Sequence, residues 1–449
     1  MSDRISRRGF VAAGAAAGLA LGMGRAALGA NESPAASAKP ALLGGQPAYR
    51  GRFPSWPSTD QQGERAMLEV LRSGQWFRGG GQKVSGFEAA YAKLTGAKHC
   101  LATSSGTAAL LTSLAALEIG PGDEVIVPPY TFVATVNAVL LRYALPIFVD
   151  SDLETFQIDA KKIESAITDR TALIVPVHLG GAAADLDTIL AVAEKHKLRV
   201  LEDACQAHLA EWRGRKVGTL GAAGCFSFQM SKNLSSGEGG AIVSDDEAFI
   251  TRCSAFHNNS RPIGGNAYSY AGGCGANLRM TEFQGALLSV QMTRLVEQAN
   301  RRQQNAAYLT SLLAEIPGIK PAKMYDGCTR NAYHLYMFRY HPNQFAGLPR
   351  EKFIAALNAE RIPASSGYSR LNLEASISNT IKSRGYRKIY TEAELKNWEE
   401  RNRCPVNDQL CSEAVWLTQN MLLGPRGDMD QIADAVRKIQ ANAAALATA

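Results

Sequence analysis

The chain has 449 residues, 46% hydrophobic and 20% charged, which gives enough apolar material for two or three domains with a large core. Its 48 basic and 41 acidic residues leave a formal net charge of +7, spread without the lysine/arginine block that marks nucleic-acid binding, so no nucleic-acid partner is expected. None of the eight cysteines forms a CxxC pair, which speaks against a zinc cluster or a thioredoxin-like motif, and no metal site is expected.

Residues 1–30 read as a signal peptide: Ser6-Arg7-Arg8-Gly9-Phe10-Val11, a soft apolar run from Ala12 to Met23, then small residues at Ala26, Ala27, Gly29 and Ala30. The paired arginines before Phe10 resemble the twin-arginine (Tat) signal, which implies export of the folded chain by the Tat translocase to a periplasmic or secreted location. Residues 31–50 follow as a flexible leader of alanine, serine and proline. Helical spacing of Met67, Val70 and Leu71, and of Phe87, Tyr91 and Leu94, predicts two helices, over 62–72 and 86–94. A strand at 99–103 runs into Ser104-Ser-Gly-Thr107, which opens an apolar helix to Leu117. Free N–H groups and hydroxyls at such a helix start form a natural phosphate seat, although most turns of this kind are plain N-caps. Strands at 124–129, 145–150, 171–178 and 199–203 then alternate with helices at 130–141, 159–166 and 187–196. Strand–helix alternation with short loops means a mostly parallel α/β sheet, with ligands at the carboxyl ends of its strands. Asp203, His178 and the Ser104 turn fall there; Asp203 is either a structural hydrogen bonder or functional, and His178 reads as pocket wall.

The stretch from Cys225 to Asp245 is the most informative. An aromatic-rich apolar run presents one lysine, Lys232, followed by a glycine-rich turn and a second apolar run. Burial disfavours the ammonium form and frees the amine for Schiff-base chemistry, while a surface loop lysine is the alternative. Further on, a helix at 246–256 precedes a polar segment from His257 and a glycine-rich irregular segment at 268–277. A long helix at 280–313 has the length to link two domains. A smaller α+β module follows: strands at 334–340, 362–368 and 414–423, helices at 349–360 and 429–445, and a long irregular region up to Cys411. Residues 51–295 are therefore assigned to a large α/β domain and 296–449 to the linking helix and small domain. Cys100, Cys205 and Cys225 read as buried thiols, and Cys404 with Cys411 is the nearest pair in sequence should a disulfide form.

A phosphate seat, an aromatic (Phe132), an acid (Asp203) with Gln206 three residues on, and Ser227 five residues before Lys232 together suit pyridoxal 5′-phosphate. Six motifs carry a resemblance to the DegT/StrS-type (DegT/DnrJ/EryC) sugar aminotransferases, pyridoxal-phosphate enzymes of fold type I. They are Ser105-Gly-Thr-Ala-Ala-Leu110, Pro128-Pro-Tyr-Thr-Phe-Val-Ala134, Glu202-Asp-Ala-Cys-Gln-Ala207, Phe226-Ser-Phe-Gln-Met-Ser-Lys-Asn233, Gly237-Glu-Gly-Gly240 and Asn277-Leu-Arg-Met280. The resemblance runs from Phe53 to Lys438 and implies a mostly parallel, seven-stranded type of sheet between helices. It implies Lys232 as Schiff-base lysine, Asp203 as pyridinium partner, Gln206 on the ring hydroxyl and Phe132 on the ring face. It places Gly106, Thr107, Ala108 and Ser227 on the phosphate, with Asn277 reaching it from a second subunit of a homodimer. Lysine rather than histidine at position 232 implies transamination and not dehydration, from L-glutamate or L-glutamine to a keto-sugar or keto-cyclitol. Another fold-type I reaction, or an exported sugar-binding protein without catalysis, are the alternatives. Gly180-Gly181 after the strand ending at His178, and Leu209, depart from the family pattern near the expected pocket, and the export signal departs from cytoplasmic relatives that use nucleotide sugars.

Overall fold

The computed structural model describes residues 38–261 and 273–449. The expected signal peptide, residues 31–37 of the expected leader and the start of the irregular glycine-rich segment lie outside the described residues.

Seven strands build the main sheet: β1 His99–Thr103, β2 Glu124–Val127, β3 Leu145–Phe148, β4 Thr171–Ile174, β5 Arg199–Asp203, β6 Ala223–Ser227 and β7 Gly240–Ser244. Their spatial order is β1-β7-β6-β5-β4-β2-β3. Only β7 runs against its neighbours; the other pairings are parallel. Parallel strands covered on both faces must be apolar throughout, and β2, β3, β6 and β7 are buried at every position. The expected mostly parallel α/β architecture is thus observed, and β1, β5 and β6 deliver Thr103, Asp203 and Ser227 to one edge. The helix Gly106–Ala116 starts so close to β7 that a Cβ on Gly240 would stand 2.3 Å from the Ser105 carbonyl oxygen.

The second sheet is antiparallel, in the order β8-β9-β11-β10, from β8 Ile319–Pro321, β9 Leu335–Tyr340, β10 Ala364–Ser365 and β11 Ala414–Thr418. Its core includes Phe338, Tyr340, Phe353, Val415, Ile432 and Val436. The helix Glu282–Ala314 connects the two bodies: Leu288 and Leu295 belong to a core under the main sheet, Ala306 and Leu309 to the second one.

Several expectations need correction. The helix expected from Tyr130 begins only at Ala134, which leaves Phe132 on a loop. The last strand stops at Thr418, and Gln419–Leu423 is a 3-10 turn. The region expected to be irregular is helical, in Ala375–Ile381, Arg384–Arg387, Glu392–Arg401 and Pro405–Glu413. These helices are too short to show a long amphipathic period. They are held instead by a Thr391–Glu394 capping box and by side chains that satisfy the main sheet's edge. Tyr386 donates to Leu140 and Ala144 carbonyls, and Trp398 to Pro146. Ile377, Ile381, Tyr386 and Trp398 share the core of β2 and β3, although they follow residue 296 in sequence.

Residues 38–50 of the expected leader make defined contacts with the second domain. Buried Glu360 accepts the Ala41 and Ala48 amides and pairs with Lys438 at 3.0 Å, while Tyr49 is buried in the second core. All eight cysteines are free, and Cys100 and Cys205 are only partly buried. Buried Cys404 and Cys411 donate separately, to Asn402 and Asn407. No described helix is long and apolar enough to cross a membrane, and no metal-ligating cluster occurs among the described residues.

Candidate active site

A cavity of about 830 Å³ opens at the carboxyl ends of β1, β5 and β6, roofed by the second sheet. It brings together Gly106, Thr107, Phe132, Asp203, Gln206, Ser227 and Lys232 from separate stretches of chain.

Ser105 has extended backbone, and its Oγ accepts the Ala108 N–H at 3.0 Å. That cap uses the Ala108 amide, and Ala108 does not line the cavity; the Gly106 and Thr107 amides remain as helix-start donors without intrahelical partners. A Cβ on Gly106 would lie 2.7 Å from Ser227 Cβ, so only glycine lets the helix start meet the end of β6. The result is an anion seat of two amides beside the Ser227 hydroxyl.

Asp203 is 3% exposed. Its Oδ2 accepts the Thr135 hydroxyl at 2.8 Å and its Oδ1 the Cys205 N–H at 3.1 Å. Gln206 is fixed at both ends: Oε1 accepts the Gly180 N–H and Nε2 donates to the Tyr368 hydroxyl, each at 2.9 Å. The Phe132 ring stands free at the cavity wall, 55% exposed.

Lys232 sits in the turn after β6, where its carbonyl accepts the Trp56 indole N–H at 3.1 Å. Burial lowers its pKa below 10.5, with the nearby Cys205 and Asp203 opposing the shift. Nζ lies 3.4 Å from Nε2 of His334. Burial, reinforced by the Lys232 charge, holds His334 well below 6.5, so its imidazole is neutral at neutral pH and offers the lysine a hydrogen-bond partner without a competing charge.

The structure does not bring every expected residue to the cavity. His178 lies behind it rather than in its wall, wholly buried: Nδ1 accepts the Ala184 N–H, so Nε2 carries the proton it donates to Glu202 at 2.8 Å. Leu209 packs in the core under the sheet, and His257 is buried beside Arg78. Neither lines the cavity. Asn277 is exposed and pairs with Asn258, outside the cavity of its own chain. The turn at Gly180-Gly181 has left-handed backbone, and a Cβ on Gly180 would meet Met337 Cε at 2.5 Å. Sequence reasoning missed Trp56, Thr135, His334, Tyr368 and Gln419, all in the lining. Thr135 had a signal in the Pro128 motif, one residue beyond the stretch quoted for it; His334 and Gln419 come from the second domain and had none.

A doubly wound, mostly parallel sheet with a lysine, a buried carboxylate and a helix-start anion seat at one edge defines an α/β transferase of fold type I. The DegT/DnrJ/EryC1/StrS aminotransferase family signature matches residues 57–437, and the chain belongs to that family. It is therefore an aminotransferase; enzymes of this family and fold work with pyridoxal phosphate. The L-glutamine:2-deoxy-scyllo-inosose aminotransferase of Streptomyces paromomycinus is 37% identical over 420 residues, covering 90% of this chain and 98% of that one. The 3-amino-5-hydroxybenzoate synthase of Amycolatopsis mediterranei is 33% identical over 395 residues, covering 86% and 98%. The crystal structure of a 3-amino-5-hydroxybenzoic acid synthase superposes with a TM-score of 0.78 at 32% identity, covering 88% of this chain and 99% of that one.

Proposed function

We propose that this aminotransferase carries pyridoxal 5′-phosphate on Lys232 and moves the amino group of L-glutamine to a keto-cyclitol. The observation that carries the reading is a lysine of lowered pKa sharing one cavity with buried Asp203 and the Gly106 seat. The residues fit the cofactor: the cradle that a Cβ on Gly106 would fill suits a phosphate, and the free Phe132 face suits a flat ring.

When bound, pyridoxal phosphate supplies a carbonyl that condenses with amines and a ring that withdraws electrons. The Gly106 and Thr107 amides and the Ser227 hydroxyl hold the phosphate. The Asp203 carboxylate, oriented by Thr135 and the Cys205 N–H, would keep a proton on the ring nitrogen. Gln206 Nε2, held by Tyr368 and the Gly180 amide, lies ready for the ring hydroxyl. Lys232 Nζ would be the group that accepts and returns the proton that moves in transamination, with neutral His334 as its neighbour. Exposed Asn277 would serve the phosphate of a partner subunit in a homodimer. Donor and acceptor follow from the 2-deoxy-scyllo-inosose relative at nearly full coverage. The twin arginines before Phe10 support loading in the cytoplasm and export by the Tat route.

Purified protein should show the visible absorption of lysine-bound cofactor. L-Glutamine should convert it to the amine form, and 2-deoxy-scyllo-inosose should restore it. Persistence of the visible band in Lys232→Ala would overturn the lysine assignment, and a band indifferent to L-glutamine would overturn the donor.

A further inference from the structure

The helix Glu282–Ala314 carries Arg302 into the interior, 0% exposed. Its Nε and Nη2 both donate to Oε1 of Gln419, at 2.9 and 2.5 Å. Nη1 is equally buried and has no partner. The guanidinium carbon stands 5.2 Å from the Trp56 ring centroid. No carboxylate forms an ion pair with Arg302 among the described residues, and burial alone pulls it down to about 9, so it is a cation at neutral pH. A desolvated guanidinium is poorly compensated by one neutral amide and normally comes with an anion.

Its surroundings supply the place for that anion. Trp56, Gln419, Asn420 and His334 all line the Lys232 cavity. The charge of Arg302 is also felt at His334 and His208. A guanidinium accepts nothing, so Gln419 must turn Oε1 towards it. The Gln419 amide N–H groups are then left as donors, with no protein acceptor among the described residues. The Trp56 indole N–H ties this wall to the Lys232 carbonyl.

We propose that Arg302 and Gln419 form the seat for the α-carboxylate of the amino donor. Gln419 makes the contact, and Arg302 is a positioning residue that fixes its amide and supplies buried positive potential. A keto-cyclitol is neutral whereas the donor carries a carboxylate, so an uncompensated cation favours the donor without a matching demand from the acceptor. The assignment rests on the aminotransferase reading above.

The test separates the two half-reactions on cofactor-loaded protein, followed by cofactor absorbance. In Arg302→Met the L-glutamine concentration for half conversion should rise roughly 30-fold or more. Recovery by 2-deoxy-scyllo-inosose should shift by less than about threefold. 4-Aminobutanamide, which is glutamine without its carboxylate, should be a poor donor for the wild type, and the gap between the two donors should narrow in Arg302→Met by the same factor. Arg302→Lys should restore part of the preference. Gln419→Glu gives Arg302 an internal carboxylate; it should fold, melt higher than the wild type and lose L-glutamine affinity to a similar degree. An unchanged preference for glutamine over 4-aminobutanamide in either folded variant would overturn the seat. If wild-type protein loads cofactor but ignores L-glutamine, the donor reading fails first and takes the seat with it.

Discussion

Glu202 precedes Asp203 on β5 and is 0% exposed, and both of its oxygens accept two hydrogen bonds. Oε1 accepts the Leu220 and Gly221 amides at 2.7 Å each. Oε2 accepts the Gly218 amide at 2.6 Å and His178 Nε2 at 2.8 Å. Burial pushes its pKa up, but His178 and the amides outweigh burial, so it is lowered below 4.5. In Glu202→Gln, an NH2 must replace one oxygen, and either choice sets a donor against two donors. Losing two hydrogen bonds to a charged acceptor, at about 1.5–3 kcal/mol each, gives a destabilisation of roughly 3–6 kcal/mol. The assay is urea unfolding of the cofactor-free protein followed by far-UV circular dichroism. The pH dependence has a definite sign. A carboxylate lowered in the folded state contributes stability above its ordinary value, and that contribution is lost as pH falls from 4.5 through the folded value. The variant should therefore show a flatter acid limb as well as a lower midpoint. A loss below about 1 kcal/mol, or an unchanged acid limb, would refute an ionised, fully bonded Glu202.

Three further outcomes follow from the geometry and a fourth from the expected export signal. Gly106→Ala puts a Cβ 2.7 Å from Ser227 Cβ and should weaken cofactor retention about tenfold or more, read by equilibrium dialysis, and cost the cofactor-free protein about 1–3 kcal/mol in urea unfolding. Gly180→Ala must hold φ +65° and displace the Met337 methyl; a loss of about 1–2 kcal/mol in urea unfolding is expected. Lys232 is lowered in the folded state, so its penalty on the cofactor-free protein is full below the folded value and vanishes as pH rises to 10.5. Lys232→Met should accordingly melt above cofactor-free wild type at neutral pH, with the difference closing towards pH 10.5. Replacing Arg7 and Arg8 together with lysine should keep the chain in the cytoplasm of a Tat-competent host, measured by fractionation.

The main sheet was legible because its strands are buried on both faces and read as continuous apolar runs, such as Glu124–Val127, between clear turn signals. The site was legible where chemistry concentrates at strand ends: Asp203, Ser227 and Lys232 stand where a buried strand gives way to a polar or glycine-rich turn. The helices after Leu373 were not legible. They are short, and what orders them is Tyr386, Trp398 and Asn402 binding backbone groups of β3 and its flanks, a pairing over some 250 residues that no local period reports. Glu360 hides the anchoring of residues 38–50 in the same way, since a glutamate near a helix end normally reads as solvated surface.

Arg302 shows the limit most clearly. On a helix whose polar positions mostly face water, one arginine among Asn300, Arg301, Gln303 and Gln304 carries no mark of burial. It is buried because Gln419, on a turn after the last strand, and Trp56, near the start of the described chain, close over it from opposite ends of the sequence. Lys232 shares that closure through the Trp56 indole, and Gln206 is linked to the second domain through Tyr368, so the two ends of the cavity are joined by residues far apart in sequence. The motifs of the large domain therefore identify the cofactor chemistry, whereas the buried charge that would select the donor exists only once both domains have packed.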